Sequence, residues 1–513
     1  MCFRRSGFKR LLLALLLPAF SAQAGECISL KKIDIDEQEL MSPATRQQLF
    51  QPFIDACIDA QLIRRLLTQI SDFYIAEGYV TTRPYLLEQD LQDGQIEVRV
   101  LKGRIEAIVD ADSGQSNSRI GSAFAFHDDW LNLRQLESAL ETLQRPPSVT
   151  ASFEILPGGE QGSSIVEIEF EESRALSVEL GASAQTGLDP AFSLQASLDN
   201  PFDINDILTF RSNTGSLREA YQSNRGSELN YSFALAANLI ELGYSELEYR
   251  QRVQGINDSY LSRGESRVSR ISLNRQVLRR QRHSLNLVIT LQQKNSRSFF
   301  DDVLIEVSSY ATTQLQASLR HSWLQPWVQL TTSYAYHQGL DSLGARDDDY
   351  YTPESGFENP ARLQFSKIII DSMLQYYFDD PAYLASLNLN LQHSDDILFN
   401  DDQLSLGSQY TVRGYASALS GSNGGYLRGE VTRVMQTPGG GKRFTLSLGL
   451  DYGEVACEID NHSVCGSIYG TAIGLGLSDA NFNGKLLWGH PLKKISADVG
   501  DKDQFTLDLS WKF

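Results

Sequence analysis

From about Leu176 to the last residue, apolar and polar positions alternate with a period of two, the signature of strands with one apolar face. In the final nine residues Phe505, Leu507, Leu509, Trp511 and Phe513 fall on one face, with Thr506, Asp508, Ser510 and Lys512 on the other. Residues 444–453 repeat the pattern, with Phe444, Leu446, Leu448, Leu450 and Tyr452 against Thr445, Ser447, Gly449, Asp451 and Gly453. So do Tyr469, Thr471, Ile473, Leu475 and Leu477 against Gly470, Ala472, Gly474 and Gly476. In a water-soluble sheet such alternation separates a buried face from a wet one. In an outer-membrane barrel it separates lipid from a polar lumen. The stretch 175–513 would make an unusually large soluble β-domain. Aromatic residues also end many apolar faces, at Trp323, Trp327, Tyr376, Tyr377, Phe378, Trp511 and Phe513, as the girdles of a membrane barrel do. The pattern predicts a transmembrane antiparallel β-barrel of roughly 14 to 18 strands, each of about 9–11 residues.

Ahead of the barrel, residues 27–172 mix strand and helix periods. Ile28, Leu30, Ile33 and Ile35 predict a strand, and Leu49, Phe50, Phe53, Ile54 and Cys57 a helix. A second helix follows through Leu62, Leu66, Ile70 and Tyr74, with Gly78 suited to its end. Ile96, Val98 and Val100 alternate after the Asp93-Gly94 turn. This is a small α+β unit of order β-α-α-β-β, over residues 25–103. A similar unit spans 104–173: Leu133, Leu136, Leu140 and Leu143 share a helical face that Pro146-Pro147 ends, and Pro157-Gly158-Gly159 turns a hairpin. Neither unit carries a nucleophile with a base, a phosphate-cradling glycine loop or a metal cluster, so both read as binding modules rather than enzyme domains.

The first 24 residues read as a secretory signal. Arg4, Arg5, Lys9 and Arg10 precede an apolar run from Leu11 to Phe20, and Ala22-Gln23-Ala24 offers a cleavage site. The barrel then occupies 174–513. The chain carries 45 Lys and Arg against 64 Asp and Glu. Such an acidic protein is a poor partner for a nucleic-acid backbone. Four cysteines remain after the signal, and an even number in an exported chain predicts two disulfides, Cys27 with Cys57 and Cys457 with Cys465. Seven histidines (127, 283, 321, 337, 393, 462 and 490) are scattered without ligand spacing, so neither metal nor other cofactor is expected. Asp347-Asp348-Asp349 reads as a solvated external loop rather than a calcium site.

A last strand that ends at Phe513 on the inner side sets the parity of every connection before it. The Cys457–Cys465 loop and the segment 407–425 then lie outside, and Pro438 to Lys442 inside. The outer segment contains Val412-Arg413-Gly414-Tyr415, and two strands on lies Gly449-Leu450-Asp451-Tyr452-Gly453. Asp451 faces the lumen between two glycines that clear space beside it. An Arg folded into the pore could pair with that carboxylate in a two-point geometry that Lys cannot copy. Arg428 and Glu430, also lumen-facing, are further candidate partners.

This order of parts resembles a known family. A signal, two polypeptide-transport-associated (POTRA) units, a barrel with a VRGY loop and a GxDxG strand, and C-terminal Phe513 look like the TpsB transporters of two-partner secretion. These are the haemolysin activation/secretion type within the BamA-like superfamily. Glu77-Gly78-Tyr79-Val80, Gln89-Asp90-Leu91, Lys102-Gly103-Arg104-Ile105 and Leu131-Asn132-Leu133-Arg134 are further family-like stretches. The resemblance implies a barrel of about 16 strands with Arg413 contacting Asp451, while Val412, Gly414 and Tyr415 shape the loop tip. It implies Trp511 and Phe513 as the signal read by the barrel-assembly machinery. It also implies an outer-membrane protein, set in lipid with its POTRA units in the periplasm, that exports a large TpsA-like adhesin or haemolysin without enzymatic chemistry. The alternative is an insertase for other barrels; two POTRA units rather than a longer array argue against it. Many members plug the pore with an N-terminal helix. Here Cys27 stands three residues past the expected cleavage site, which leaves no room for one and leaves the inserted loop to close the pore.

Overall fold

The computed structural model of the chain describes residues 27–36, 40–124, 130–187, 189–215, 222–236, 238–254, 259–348, 361–416, 418–437, 441–457, 464–493 and 503–513. The expected signal, His127, His462 and Asp349 lie outside them. The chain divides into two compact units, 1–104 with 160–162, and 105–159 with 163–513.

In the first unit β1 (Lys32–Ile35) runs parallel to the central β3 (Gln95–Leu101), and β2 (Arg83–Tyr85) antiparallel to it. Helix α2 (Ala60–Ala76) buries Leu62, Leu66, Ile70 and Tyr74, spaced three and four residues apart, while β3 buries Ile96, Val98 and Val100. Asp59 starts the helix by accepting the Leu62 N–H at 2.6 Å, and Gly78 ends it at φ 100°. The preceding helix lies earlier than the Leu49–Cys57 spacing predicts. It runs Pro43–Phe50 with Ser42 as its cap and tightens into a short turn, Gln51–Phe53. Pro52 cannot continue an α-helix, and Asp55 leaves at φ 65°. Cys57 is thereby freed to bridge Ser29 as extended chain, beside the Cys27–Cys57 disulfide. Replacing both cysteines by serine is expected to cost this unit about 3–4 kcal/mol, given the 30-residue separation. Limited proteolysis of the intact protein would show the loss as rapid cleavage within residues 27–104 while the barrel resists.

The second unit opens with the other small domain. Its sheet has the order β4 (Arg104–Asp110), β6 (Ser163–Glu172), β5 (Val149–Pro157). Helix α3 (Ser118–Ala123) buries Ile120 and Ala123, and helix α4 (Leu133–Leu143) buries Leu136, Ala139 and Leu143.

Sixteen antiparallel strands then close into a barrel: Leu176–Gln185, Ala191–Asp199, Ile207–Gly215, Gln222–Leu235, Asn238–Gln254, Ser259–Arg279, His283–Phe300, Tyr310–Gln325, Val328–Leu340, Ser366–Tyr377, Tyr383–His393, Gly424–Gln436, Arg443–Val455, Gly466–Ser478, Phe482–Pro491 and Gln504–Lys512. The last strand pairs with the first, Thr506 opposite Gln185 and Lys512 opposite Glu179, and Phe513 N–H bonds the Val178 carbonyl at 2.8 Å. Leu448, Leu450, Leu475, Phe505 and Leu507 project outward and are exposed, while Ser447, Asp451 and Thr506 point inward and are buried. Among the described residues no helix is long and apolar enough to cross a membrane.

Several strands exceed the expected length. Ser259–Arg279 has 21 residues and His283–Phe300 has 18. Their outward pairs are apolar at Leu242, Ile271 and Leu291, then become polar at Glu246, Arg267 and Asn295, and again at Glu248, Glu265 and Arg297. Arg267 and Glu246 form an ion pair at 3.3 Å. A charged outward face does not sit in hydrocarbon, so this wall of the barrel continues beyond the lipid on the side of the longer loops.

At the opposite end the connection 200–206 seats the second small domain. Asn200, Asp203 and Asn205 all have positive φ, and Asn205 and Asp206 are fully buried. Arg145 reaches from beyond α4 to bond Ser232 Oγ at 2.7 Å, the Ser232 carbonyl at 3.0 Å and the Asn205 carbonyl. Arg119 bonds Asp203 at 2.6 and 3.0 Å and Glu172 at 2.5 Å. Burial draws the Arg145 guanidinium below its ordinary value, opposed by Glu241, Asp206 and Asp199.

Candidate functional site

The connection 394–423 does not stay outside the barrel. Leu404–Leu406 pairs with Leu419–Gly421 as a short hairpin. Gly407 reverses the chain at φ 101°, where an added Cβ would meet the Ala418 nitrogen at 2.7 Å. Leu404, Leu406, Val412, Tyr415, Ala418 and Leu419 form one buried cluster with Val455 and Ile468 of the barrel wall. The hairpin therefore brings an apolar core of its own into the polar lumen, which adds to the polar contacts that seat its tip.

Arg413 stands at that tip with 2% of its surface exposed, and Asp451 with 4%. The guanidinium donates Nε to Asp451 Oδ2 and Nη2 to Asp451 Oδ1, each at 2.7 Å, the parallel two-point geometry open to Arg alone. The Arg413 main-chain N–H adds a third bond to Asp451 Oδ2 at 2.9 Å, and Nη1 reaches Glu430 Oε2 at 2.5 Å. One guanidinium thus joins two neighbouring strands, because Glu430 lies opposite Gly449 in the register and Arg428 opposite Asp451. Arg428 is 4.0 Å from Asp451 and donates to the Tyr410 carbonyl at 2.6 Å, a second tie to the hairpin. The Tyr415 hydroxyl lies 2.6 Å from the Lys493 carbonyl and 2.8 Å from that of Tyr469.

The space for this docking is made by missing side chains. A Cβ on Gly449 would lie 2.0 Å from Arg413 Nη2, and one on Gly453 2.7 Å from Val412 Cγ2. Gly414, at φ 94°, passes so close to His490 that a Cβ would meet its carbonyl carbon at 2.4 Å. Two further glycines belong to the site and escape the motif search. A Cβ on Gly470 would stand 2.0 Å from the Arg413 carbonyl oxygen, and one on Gly489 2.7 Å from the Gly414 nitrogen. The signal for Gly470 is the run of small residues Gly470, Ala472, Gly474 and Gly476 on the lumen face of one strand, with Gly470 directly opposite Asp451; Gly489, on the next strand, carries none.

Other expected residues fall elsewhere. The Cys457–Cys465 disulfide closes the neighbouring connection, whose Val464 exchanges main-chain bonds with Ser420 of the hairpin at 2.9 and 3.2 Å. Trp511 packs on Phe482 at the opposite end, and Phe513 joins the closing strands. Asp348 closes its own loop by accepting from Leu363 and Gln364 main-chain N–H groups. His283 and His321, scattered in sequence, stack across two strands with ring centroids 5.4 Å apart, on the outward face beside Trp323. Among the described residues no group of three or more His, Cys, Asp or Glu could hold a metal ion.

A closed barrel of sixteen strands with small N-terminal domains and a hairpin locked inside its lumen defines an outer-membrane transporter of the BamA-like class. The family model for the haemolysin secretion/activation proteins ShlB/FhaC/HecB matches residues 162–477, and the chain belongs to that family. A ShlB-type POTRA model matches 28–103 and a second POTRA model 104–157. The chain is 29% identical over 487 residues to the outer membrane transporter CdiB of Dickeya dadantii, covering 93% of this chain and 85% of that protein. It is 26% identical over 444 residues to the haemolysin transporter ShlB of Serratia marcescens, covering 86% and 78%. Among solved structures, CdiB from Escherichia coli superposes with a TM-score of 0.86 at 23% identity, over 97% of this chain and 93% of that one. CdiB from Acinetobacter baumannii gives 0.79 at 20% identity, over 95% and 90%. The protein is an outer-membrane translocator of the TpsB type, with its POTRA domains in the periplasm.

Proposed function

We propose that the protein captures one large unfolded TpsA-like partner in the periplasm and passes it through the barrel to the cell surface. The observation that carries this reading is the hairpin locked across the lumen by Arg413, Asp451 and Glu430. Desolvating the partners of a buried ion pair is costly, and such a pair suits a loop held in one position until transport moves it. Capture is assigned to the POTRA sheets, where an extended chain can add as a strand; the edge strand Arg83–Tyr85 carries Tyr85 at 42% exposure, with Leu87 just beyond at 55%. The lumen offers hydroxyl rungs such as Ser272 with Thr290 and Ser322 with Thr331, which suit a polar, extended polypeptide. Transport on this reading proceeds without enzymatic chemistry, and export is driven by folding outside.

The test is a proteome comparison of wild type and a deletion strain, covering supernatant, cell surface and outer membrane. Loss of one large exported protein, with other barrels at normal levels, is the expected result. A general fall in outer-membrane barrels would identify an insertase and overturn the proposal.

A further inference from the structure

The inserted loop is held a second time, at its base, by residues outside the Arg413 lock. Asp402 lies just before the first strand of the hairpin. Its carboxylate accepts from Gln314 Nε2 at 2.9 and 3.1 Å and from Lys367 Nζ at 3.1 Å. Its main-chain carbonyl accepts from Lys367 Nζ at 2.8 Å and Gln392 Nε2 at 3.2 Å. The Lys367 and Asp402 side chains keep 7% and 13% of their surface. Gln314, Lys367 and Gln392 come from three strands on one side of the loop's root, whereas the tip is held by strands on the other side. A buried ion pair is weak support for stability, since well-packed apolar residues serve as well; what it specifies is position.

We propose that Lys367 and Asp402, with Gln314, form a hinge anchor that keeps the base of the hairpin on its wall while the Arg413 lock at the tip opens. The proposal rests on the reading of the hairpin as the element that obstructs the lumen. Two anchors on opposite flanks give the loop two separable movements. Opening the tip alone swings a hairpin that stays tethered, and the lumen clears only in part. Opening both leaves the loop held by the Lys294–Asp401 pair, the Arg428–Tyr410 bond and its apolar contacts, and clears the lumen further. The two locks share no residue and lie 11 positions apart in sequence, so each can be broken singly.

The test uses purified full-length protein in planar lipid bilayers. Arg413→Ala is expected to raise open probability at a conductance below that of an empty barrel, because the hairpin remains hinged. Adding Asp402→Asn should raise the single-channel conductance at least twofold further. In the Arg413→Ala background the reversed pair, Lys367→Asp with Asp402→Lys, should restore the lower conductance, since the Gln314 amide can offer either its oxygen or its N–H groups. A conductance unchanged by Asp402→Asn overturns the hinge and leaves the obstruction reading standing. A channel that stays as quiet as wild type in Arg413→Ala overturns that reading, and the hinge with it. Should Asp402→Asn fail to give a heat-modifiable barrel, Lys367→Gln in the Arg413→Ala background decides: a raised conductance supports the hinge, and a conductance at the Arg413→Ala level overturns it.

Discussion

Arg413→Ala is expected to abolish secretion of the partner while the barrel still reaches the outer membrane and keeps its heat-modifiable mobility. The substitution removes three side-chain hydrogen bonds and leaves Asp451 and Glu430 without their bonded cation, with only Arg428, 4.0 Å from Asp451, nearby. Stranding one member of a buried ion pair typically costs about 3–5 kcal/mol. That is enough to unseat a loop tip, yet the barrel wall carries none of its pairing through Arg413. Arg413→Lys should fail almost as badly, because a point charge cannot bridge both Asp451 oxygens. Asp451→Ala should resemble Arg413→Ala, and the double variant should be little worse than either, as expected for groups that act as a unit. The measurement is partner protein in the supernatant, normalised to folded barrel in the membrane. Wild-type secretion by Arg413→Ala would remove the lock from the mechanism.

The second large effect comes from a residue without a functional group. Gly470→Ala should reduce secretion at least tenfold, because its Cβ would stand 2.0 Å from the Arg413 carbonyl, a main-chain atom that moves only if the tip moves. Gly474→Ala, two steps along the same face, closely meets only the Ser447 hydroxyl, at 2.4 Å, which rotates away at little cost, and should secrete normally. Comparing these two alanines separates loss of loop seating from general damage to the strand. Equal defects in both would mean that the strand, rather than the tip, is being disturbed.

Much of this architecture is legible without coordinates because a barrel imposes a period on nearly every residue. Alternation around Phe505–Phe513 identifies the lipid face, and counting connections from the C-terminus puts Arg413 outside and Asp451 inside. Order and facing make the pairing of those two possible and the family resemblance implies it, while the facing argument alone reaches Glu430, which the structure bonds to Arg413. What escapes has physical reasons. The early start of the first helix depends on Ser42 as a cap and on Pro52 as a stop, signals weaker than the apolar spacing that points further along. The seat at 200–206 uses three non-glycine residues at positive φ, which no motif marks. Lys367 and Asp402 meet across 35 residues, and Gln314 and Asp402 across 88, distances over which spacing rules have nothing to say. Strand length escapes because beyond Ile271 and Leu291 the outward positions turn polar, so the alternation that announces a strand disappears while the hydrogen-bond ladder continues.

That continued ladder gives the pore an uneven rim. Ser259–Arg279 has 21 residues where Gln504–Lys512 has nine. At about 3.4 Å per residue and a tilt near 40°, the longer strand spans roughly 30 Å more along the barrel axis than the shorter one, part of it at the inner end where Gln276 and Arg279 meet Ser138 and Glu141. A polypeptide leaving such an opening has a taller screen of sheet on one flank than beside Gln504–Lys512. Its first coils are thus confined to a half-space before they can tumble freely, and a nascent chain so sheltered has fewer ways to tangle with its neighbours or to slip back.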